Sequence, residues 1–244
     1  MQIWKAHYKD EFHDTDIEIF NDGDEISFTL DGFRFSSSTN ISEFEYINKE
    51  KSSQVENRFN IIKINGKYDT YYALQRYALD VEIPVKVIRK TDTAEITGVI
   101  NISFQFVEHD INKPQVIFMN DGKRVYYDDT IVNDFSLCVD GKRYNSEKNT
   151  LDFEIALSDI CTKIKSDYYI KSCFTCQYSE YSPYGHDGFG CMLCYREHKE
   201  NYLKVNNFFK YLINEDSTFR QETFLCSEYD LRNKCRGYRG FVDI

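Results

Sequence analysis

The chain has 244 residues, 40 acidic and 30 basic, giving a formal charge of −10 and a pI near 5.1. Its 41% hydrophobic content suffices for a buried core, and no run approaches the ~18 apolar residues of a membrane span. The acidic balance argues against nucleic-acid binding, which needs cations against phosphate, and residues 1–14 lack the apolar stretch of a signal peptide.

Nineteen Tyr, nineteen Phe and one Trp lean the composition towards pleated, half-buried surfaces. From residue 16 onward the pattern is alternation broken by turns. Ile17 and Ile19 come first, then Ile26, Phe28 and Leu30, then Phe33 and Phe35, with Asn21-Asp22-Gly23-Asp24 and Asp31-Gly32 between the runs. Such Asx-Gly pairs predict hairpin turns. The same grammar recurs at Asn65-Gly66 after the run 59–64, and at Lys90-Thr91-Asp92 between runs 79–89 and 94–107. It returns at Asn120-Asp121-Gly122 and at Asp140-Gly141 after the run 135–139. Pro84 inside one run predicts an edge strand or a bulge there. Residues 71–79 read as strand or, alternatively, as one short linking helix.

Near residue 150 the period changes. Phe153, Leu157, Ile160, Cys161 and Ile164 fall at helical spacing and predict a helix of about three to four turns. A second helix is predicted over 202–213, with Tyr202, Val205, Phe208, Phe209 and Leu212 inward. The expected fold is therefore α+β: an antiparallel β-sandwich-like domain over 1–150, followed by a small α-helical, cysteine-rich, zinc-stapled domain over 151–244 packed on it.

Six of the eight cysteines lie after residue 172. In a chain without an export signal they are expected to be reduced thiols of a cytoplasmic protein. Cys138 and Cys161 read as core packing. Cys173-x-x-Cys176 and Cys191-x-x-Cys194 have the spacing at which a tight turn presents two sulfurs to one zinc ion. Two ligand sets are open on spacing alone: these four, or Cys173, Cys176 and Cys194 with Cys226. His186 and His198 are possible replacements. An all-sulfur site is coordinatively closed, hence structural.

Between the pairs, Cys176-Gln-Tyr-Ser-Glu-Tyr-Ser-Pro-Tyr-Gly185 is followed by Met192-Leu-Cys-Tyr-Arg196, Gln221-Glu-Thr-Phe-Leu-Cys226 and Gly237-Tyr-Arg-Gly240. These segments resemble a bacterial domain family of unknown function. Its motif is C-x-x-C-x-Y-S-x-Y-S-P-Y-G, then a single Cys, then Q-E-T-x-L-C and G-Y-R-G. The resemblance covers about the last 75 residues. It implies Cys173, Cys176, Cys194 and Cys226 as the zinc ligands, with Cys191 as the rival; it implies no activity.

No P-loop, G-x-G-x-x-G, H-E-x-x-H, G-x-S-x-G or H-x-E…P-C-x-x-C pattern occurs, and the five histidines are scattered. The expectation is binding rather than catalysis. Residues 1–150 carry 26 acidic and 18 basic side chains, a net −8, against 14 and 12, a net −2, in residues 151–244. An acidic binder is steered to a basic partner, so the expected function is an immunity-type inhibitor of a basic protein, a toxin among the candidates. Its contact residues are sought in the acidic stretch, at Asp14, Asp16, Asp22 and Asp24, and in the tyrosine loop, at Tyr181 and Tyr184. The alternatives are a zinc-dependent enzyme, or an RNA-binding adaptor using Arg220, Arg232, Lys234, Arg236 and Arg239 with the aromatics among them.

Overall fold

The computed structural model describes residues 1–38, 40–48, 52–65, 70–107, 116–118, 124–126, 130–182, 188–205 and 217–232. The first strands are β1 (Gln2–Lys9), β2 (Asp14–Asn21), β3 (Ile26–Leu30), β4 (Phe33–Ser37) and β5 (Glu45–Tyr46). A single helical turn, α1 (Ser52–Val55), precedes β6 (Ile61–Asn65), β7 (Thr70–Leu74) and the two long strands β8 (Tyr77–Arg89) and β9 (Glu95–Phe106). A small hairpin, β10 (Val116–Phe118) with β11 (Arg124–Tyr126), is followed by β12 (Thr130–Val139) and β13 (Lys142–Asn145). Residues 71–79 are thus two strands meeting at a bend over Gln75-Arg76, not a helix. The turns at Asp31-Gly32 and Asp140-Gly141 both have positive φ at each position, as a tight two-residue hairpin turn requires.

Apart from the separate β10–β11 hairpin, these strands do not split into two stacked sheets. They form one antiparallel sheet in the order β13-β12-β9-β8-β1-β2-β3-β4-β5-β7-β6, joined on β8 by β14 (Tyr168–Lys171). The sheet is sandwich-like only because it curls. Neighbouring strands are about 4.8 Å apart, so four strand steps of a flat sheet would part β8 from β4 by about 19 Å. Yet Tyr77 at the start of β8 donates to the Ser42 carbonyl, just past β4, at 2.6 Å. Tyr8 stacks on Tyr77 with ring centroids 5.6 Å apart and meets Phe28 of β3 at 5.8 Å. The aromatic excess of the sequence fills this curl.

Pro84 lies in the interior strand β8 and not on an edge strand of the sheet. On one side β8 pairs along its length with β9, including Pro84 with Val99. On the other side β1 pairs with residues 78–82 and β14 with residues 86–89. Proline, which has no N–H to give, occupies the seam between the two partners.

Asp152 caps the predicted helix, α2 (Phe153–Ile164), by accepting from the Ile155 N–H at 3.1 Å. Its inward stripe is the expected one, with Ala156 added. Phe153 packs on Phe135 of β12 and on Phe189, which also meets Trp4. Buried residues from Trp4 to Met192 belong to one contiguous core, so residues on both sides of position 150 share it.

Of the helix expected over 202–213, most lies outside the described residues. A 3₁₀ turn at Cys173–Thr175 precedes a three-stranded sheet of β15 (Ser179–Glu180), β16 (Met192–Cys194) and β17 (Thr218–Arg220). Between β16 and β17 the described helix is only α3 (Lys199–Tyr202); Phe208, Phe209 and Leu212 lie outside the described residues. We refer to this region as the cap. No helix among the described residues is long and apolar enough to cross a membrane.

Candidate functional site: an open acidic sheet face and a cysteine-rich cap

The side of β2, β1, β8, β9 and β12 that turns away from the core is polar and uncovered. Because side chains alternate along a strand, register fixes who stands beside whom. One cross-strand row reads Glu18, Lys5, Glu82, Asn101, Ser136, and the next reads Asp16, His7, Asp80, Ser103, Asp134. Apart from the buried Ser136, these rows line a cleft of about 580 Å³, with Arg143 at its far wall. Arg143 is ion-paired with Asp134. Among the described residues, Asp80 and Glu82, both exposed and central, have no ion-pair or hydrogen-bond partner.

His7 is held between carboxylates, with Nδ1 2.8 Å from Asp16 and Nε2 2.8 Å from Asp14. Only the imidazolium can donate from both nitrogens, and these bonds, Asp16 first, raise its pKa above the ordinary 6.5. The two carboxylates thus favour the protonated form of His7. His13 is not a solvated residue. It stacks on Phe59 at 4.6 Å and lies 3.0 Å from Asp10, whose other carboxylate oxygen accepts from the Tyr8 hydroxyl.

The acidic residues singled out from the sequence separate. Asp16 lines the cleft, and Asp14 sits beside it, bonded to His7 and Lys9. Asp22 closes its own turn by accepting from the Asp24 and Glu25 N–H groups, and Asp24 pairs with Arg220 at 2.6 Å. Tyr181 is no surface residue. It is 4% exposed and donates to Glu222 at 3.1 Å, because a buried carboxylate needs donors more than the loop needs a tyrosine at its surface. Tyr184 and His186 lie outside the described residues, and His198 is exposed on a 3₁₀ turn.

In the cap, the Cys176 N–H closes the 3₁₀ turn on the Cys173 carbonyl at 3.2 Å. Cys173, Cys176 and Cys194 are buried and Cys226 is half-buried. Burial pushes the Cys173 thiol well up, and the neighbouring Cys194, Cys176 and Cys226 push it further. Burial also raises Cys176, opposed by hydrogen bonds to its sulfur from the backbone N–H groups of Asp230 and Tyr178. Cys191 is elsewhere. It lies in the main core beside Phe189 and Met192, its N–H pointing to Glu222 at 3.4 Å. Positions three apart on an extended strand face opposite sides, so Cys191 and Cys194 do not form a second knuckle. Among the described residues no group of three or more His, Cys, Asp or Glu side chains stands in metal-holding geometry.

Glu222 was not singled out from the sequence. It is completely buried, accepts from the Gly190 N–H at 2.7 Å and from Tyr181, and burial raises its carboxyl to about 7. Its position in Gln221-Glu-Thr-Phe-Leu-Cys226, one of the motifs of the resemblance, was the available signal.

Fold and site together define an antiparallel, β-rich α+β protein with an open acidic face and a cysteine-rich cap. The chain belongs to a family of unknown function (DUF6304), whose match runs over residues 2–179. The match takes in the curled sheet, α2 and the Cys173–Cys176 pair, and ends before Cys191, Cys194 and Cys226. No curated protein and no solved structure matches the chain.

Proposed function

We propose that this is an immunity-type binding protein of the cytoplasm that neutralises a basic protein partner, a toxin, on the open face of the sheet. The observation that carries this reading is the excess of carboxylates in one cleft, where Asp16, Glu18, Asp80, Glu82 and Asp134 face only Lys5, His7 and Arg143, and Asp80 and Glu82 at its centre make no ion pair among the described residues. Unpaired charge inside a cleft is what an incoming lysine or arginine neutralises, and like-signed partners are rejected there. Seven free cysteines among the described residues are in keeping with a reducing compartment. Zinc enters this reading as a structural ion of the cap, not as a catalyst.

The RNA-adaptor alternative draws less support. Arg220 is paired with Asp24, and Arg232 is 1% exposed, donating to the carbonyls of Cys176 and Ser179. Lys234, Arg236 and Arg239 lie outside the described residues.

The test is capture from the native cell with the tagged full chain, then titration of the complex. A basic partner should be retained at low salt and released as salt rises. Asp80→Asn with Glu82→Gln should weaken it about tenfold or more, a change of about 1.4 kcal/mol. An acidic partner, or affinity indifferent to both salt and the double substitution, would refute the reading.

A further inference from the structure

We propose that the open face holds its basic partner through an apolar strip as well as through carboxylates. The strip is Phe20, Ile3, Pro84, Val99 and Cys138, and it receives an aliphatic or aromatic side chain standing beside the partner's lysines or arginines. The inference rests on the basic-partner reading and deepens it by naming the chemistry of the contact.

Register makes the strip. Ile3 pairs with Phe20 across β1 and β2, Pro84 with Val99 across β8 and β9, and Val99 with Cys138 across β9 and β12. Lys5 pairs with Glu82 across β1 and β8. Ile3 lies two residues before Lys5 and Pro84 two residues after Glu82, which in antiparallel strands puts both in one row. A step of two keeps a side chain on the same face, so this row adjoins the row Glu18, Lys5, Glu82 on the open side of the sheet. Five strands spaced by about 4.8 Å make the strip about 19 Å long, and about 7 Å separates it from the carboxylate row.

Single exposed apolar side chains are ordinary on a soluble surface, but a contiguous row of five on an otherwise polar sheet face marks a contact. Phe20 is 39% exposed and Ile3 50%, while Pro84, Val99 and Cys138 are half-buried. The ends of the strip differ. The Cys138 sulfur is approached by the Asn101 amide at 3.4 Å and by the Arg143 guanidinium at 3.9 Å, so the receptive end is Phe20 with Ile3.

Charge selects the occupant. A second copy of this chain, itself at −10, would bring the same carboxylate rows against these, and anionic lipid or nucleic acid would be repelled in the same way. A basic protein is the complementary partner. Asp80 and Glu82 steer it and lose force as salt rises, whereas apolar contact at the strip holds it at any salt. Because the two rows are neighbours, a cation and an apolar side chain on one partner segment reach both.

The experiment uses the full chain and two synthetic peptides of equal length and charge, one alternating lysine with leucine and the other lysine with serine. The lysine–leucine peptide should bind about tenfold more tightly, and the ratio should fall to about one in the double variant Ile3→Ser with Phe20→Ser. Asp80→Asn with Glu82→Gln should weaken both peptides alike and leave the ratio in place. Amide NMR shifts of the unaltered chain, which require no variant to fold, should move at Ile3, Phe20 and Val99 with the leucine peptide and not with the serine peptide. Equal affinity for the two peptides, a ratio untouched by the Ile3 and Phe20 substitutions, or leucine-dependent shifts centred elsewhere overturns the strip. The basic-partner reading survives each of those results, since both peptides still bind through Asp80 and Glu82. A chain that binds neither peptide at low salt overturns both.

Discussion

In the curled sheet the large, fully buried side chains are Trp4, Tyr8, Phe28, Phe35, Phe44 and Phe104, whereas in the cap the fully or nearly fully buried residues include Glu180, Glu222 and Arg232. The sheet is held by apolar area and ring contacts, whose strength is non-directional and indifferent to pH. The cap adds to its own apolar contacts a set of buried polar groups that satisfy one another. Tyr202 donates to Glu180 at 2.7 Å, Tyr181 to Glu222, and Arg232 to three oxygens of the cap. Such a network depends on every partner being present, in addition to the apolar cluster of Leu193, Tyr195 and Tyr202.

Four measurements break or sharpen that contrast. The largest effect is expected from Phe28→Ala, which removes a ring in contact with Tyr8, Phe35 and Phe44 and should cost about 3–5 kcal/mol in urea unfolding at any pH. A cost that varied with pH would blur the distinction. Next is Glu222, whose folded-state carboxyl lies at about 7 against an ordinary 4.5. The folded chain prefers it protonated, so its contribution is complete below pH 4.5 and is lost as pH rises through 7, a swing of about 3 kcal/mol. Glu222→Gln should flatten stability across that window. The surface carboxylates act in the opposite sense: Asp140, held low first by Arg89, loses its contribution only as pH falls below the ordinary carboxylate range.

Third, Gln221→Leu leaves the buried Asn21 amide without its acceptor and should cost about 2 kcal/mol, since an orphaned buried donor forfeits its solvation. A negligible cost would mean that cap and sheet are not coupled there. The smallest effect concerns His7. Its NMR titration midpoint should lie above 6.5 and fall towards that value in Asp16→Asn, with no measurable change in the unfolding midpoint.

What was legible in the sequence was local. Asp31-Gly32 and Asp140-Gly141 announce their hairpins because few other residues tolerate positive φ at both positions. The stripe from Phe153 to Ile164 announces α2 because side chains three and four apart share a face. The single curled sheet was not legible, since alternation says that a strand has two faces and not which strand lies beside it. Pro84 shows the limit well: proline forbids a hydrogen bond on one side, and the seam between β1 and β14 meets that condition as fully as an edge does. Tyr181 was misplaced for a related reason. A tyrosine beside Ser182-Pro183 reads as a loop residue until a carboxylate forty-one positions away requires its hydroxyl. For the cysteines, spacing alone left Cys191 as eligible as Cys226, and only the motif resemblance preferred Cys226.

The shared strand β8 also sets an order of events. Its pairing with β9 closes a short turn, but β1 reaches it from about seventy residues before and β14 from about eighty residues after. Contacts so distant in sequence close late and slowly, and domains dominated by them fold over milliseconds to seconds. The β8–β9 hairpin is accordingly the expected nucleus. Until β14 docks, the far half of β8 has an open edge, so a nascent chain released before residue 171 is expected to be prone to association along that strand.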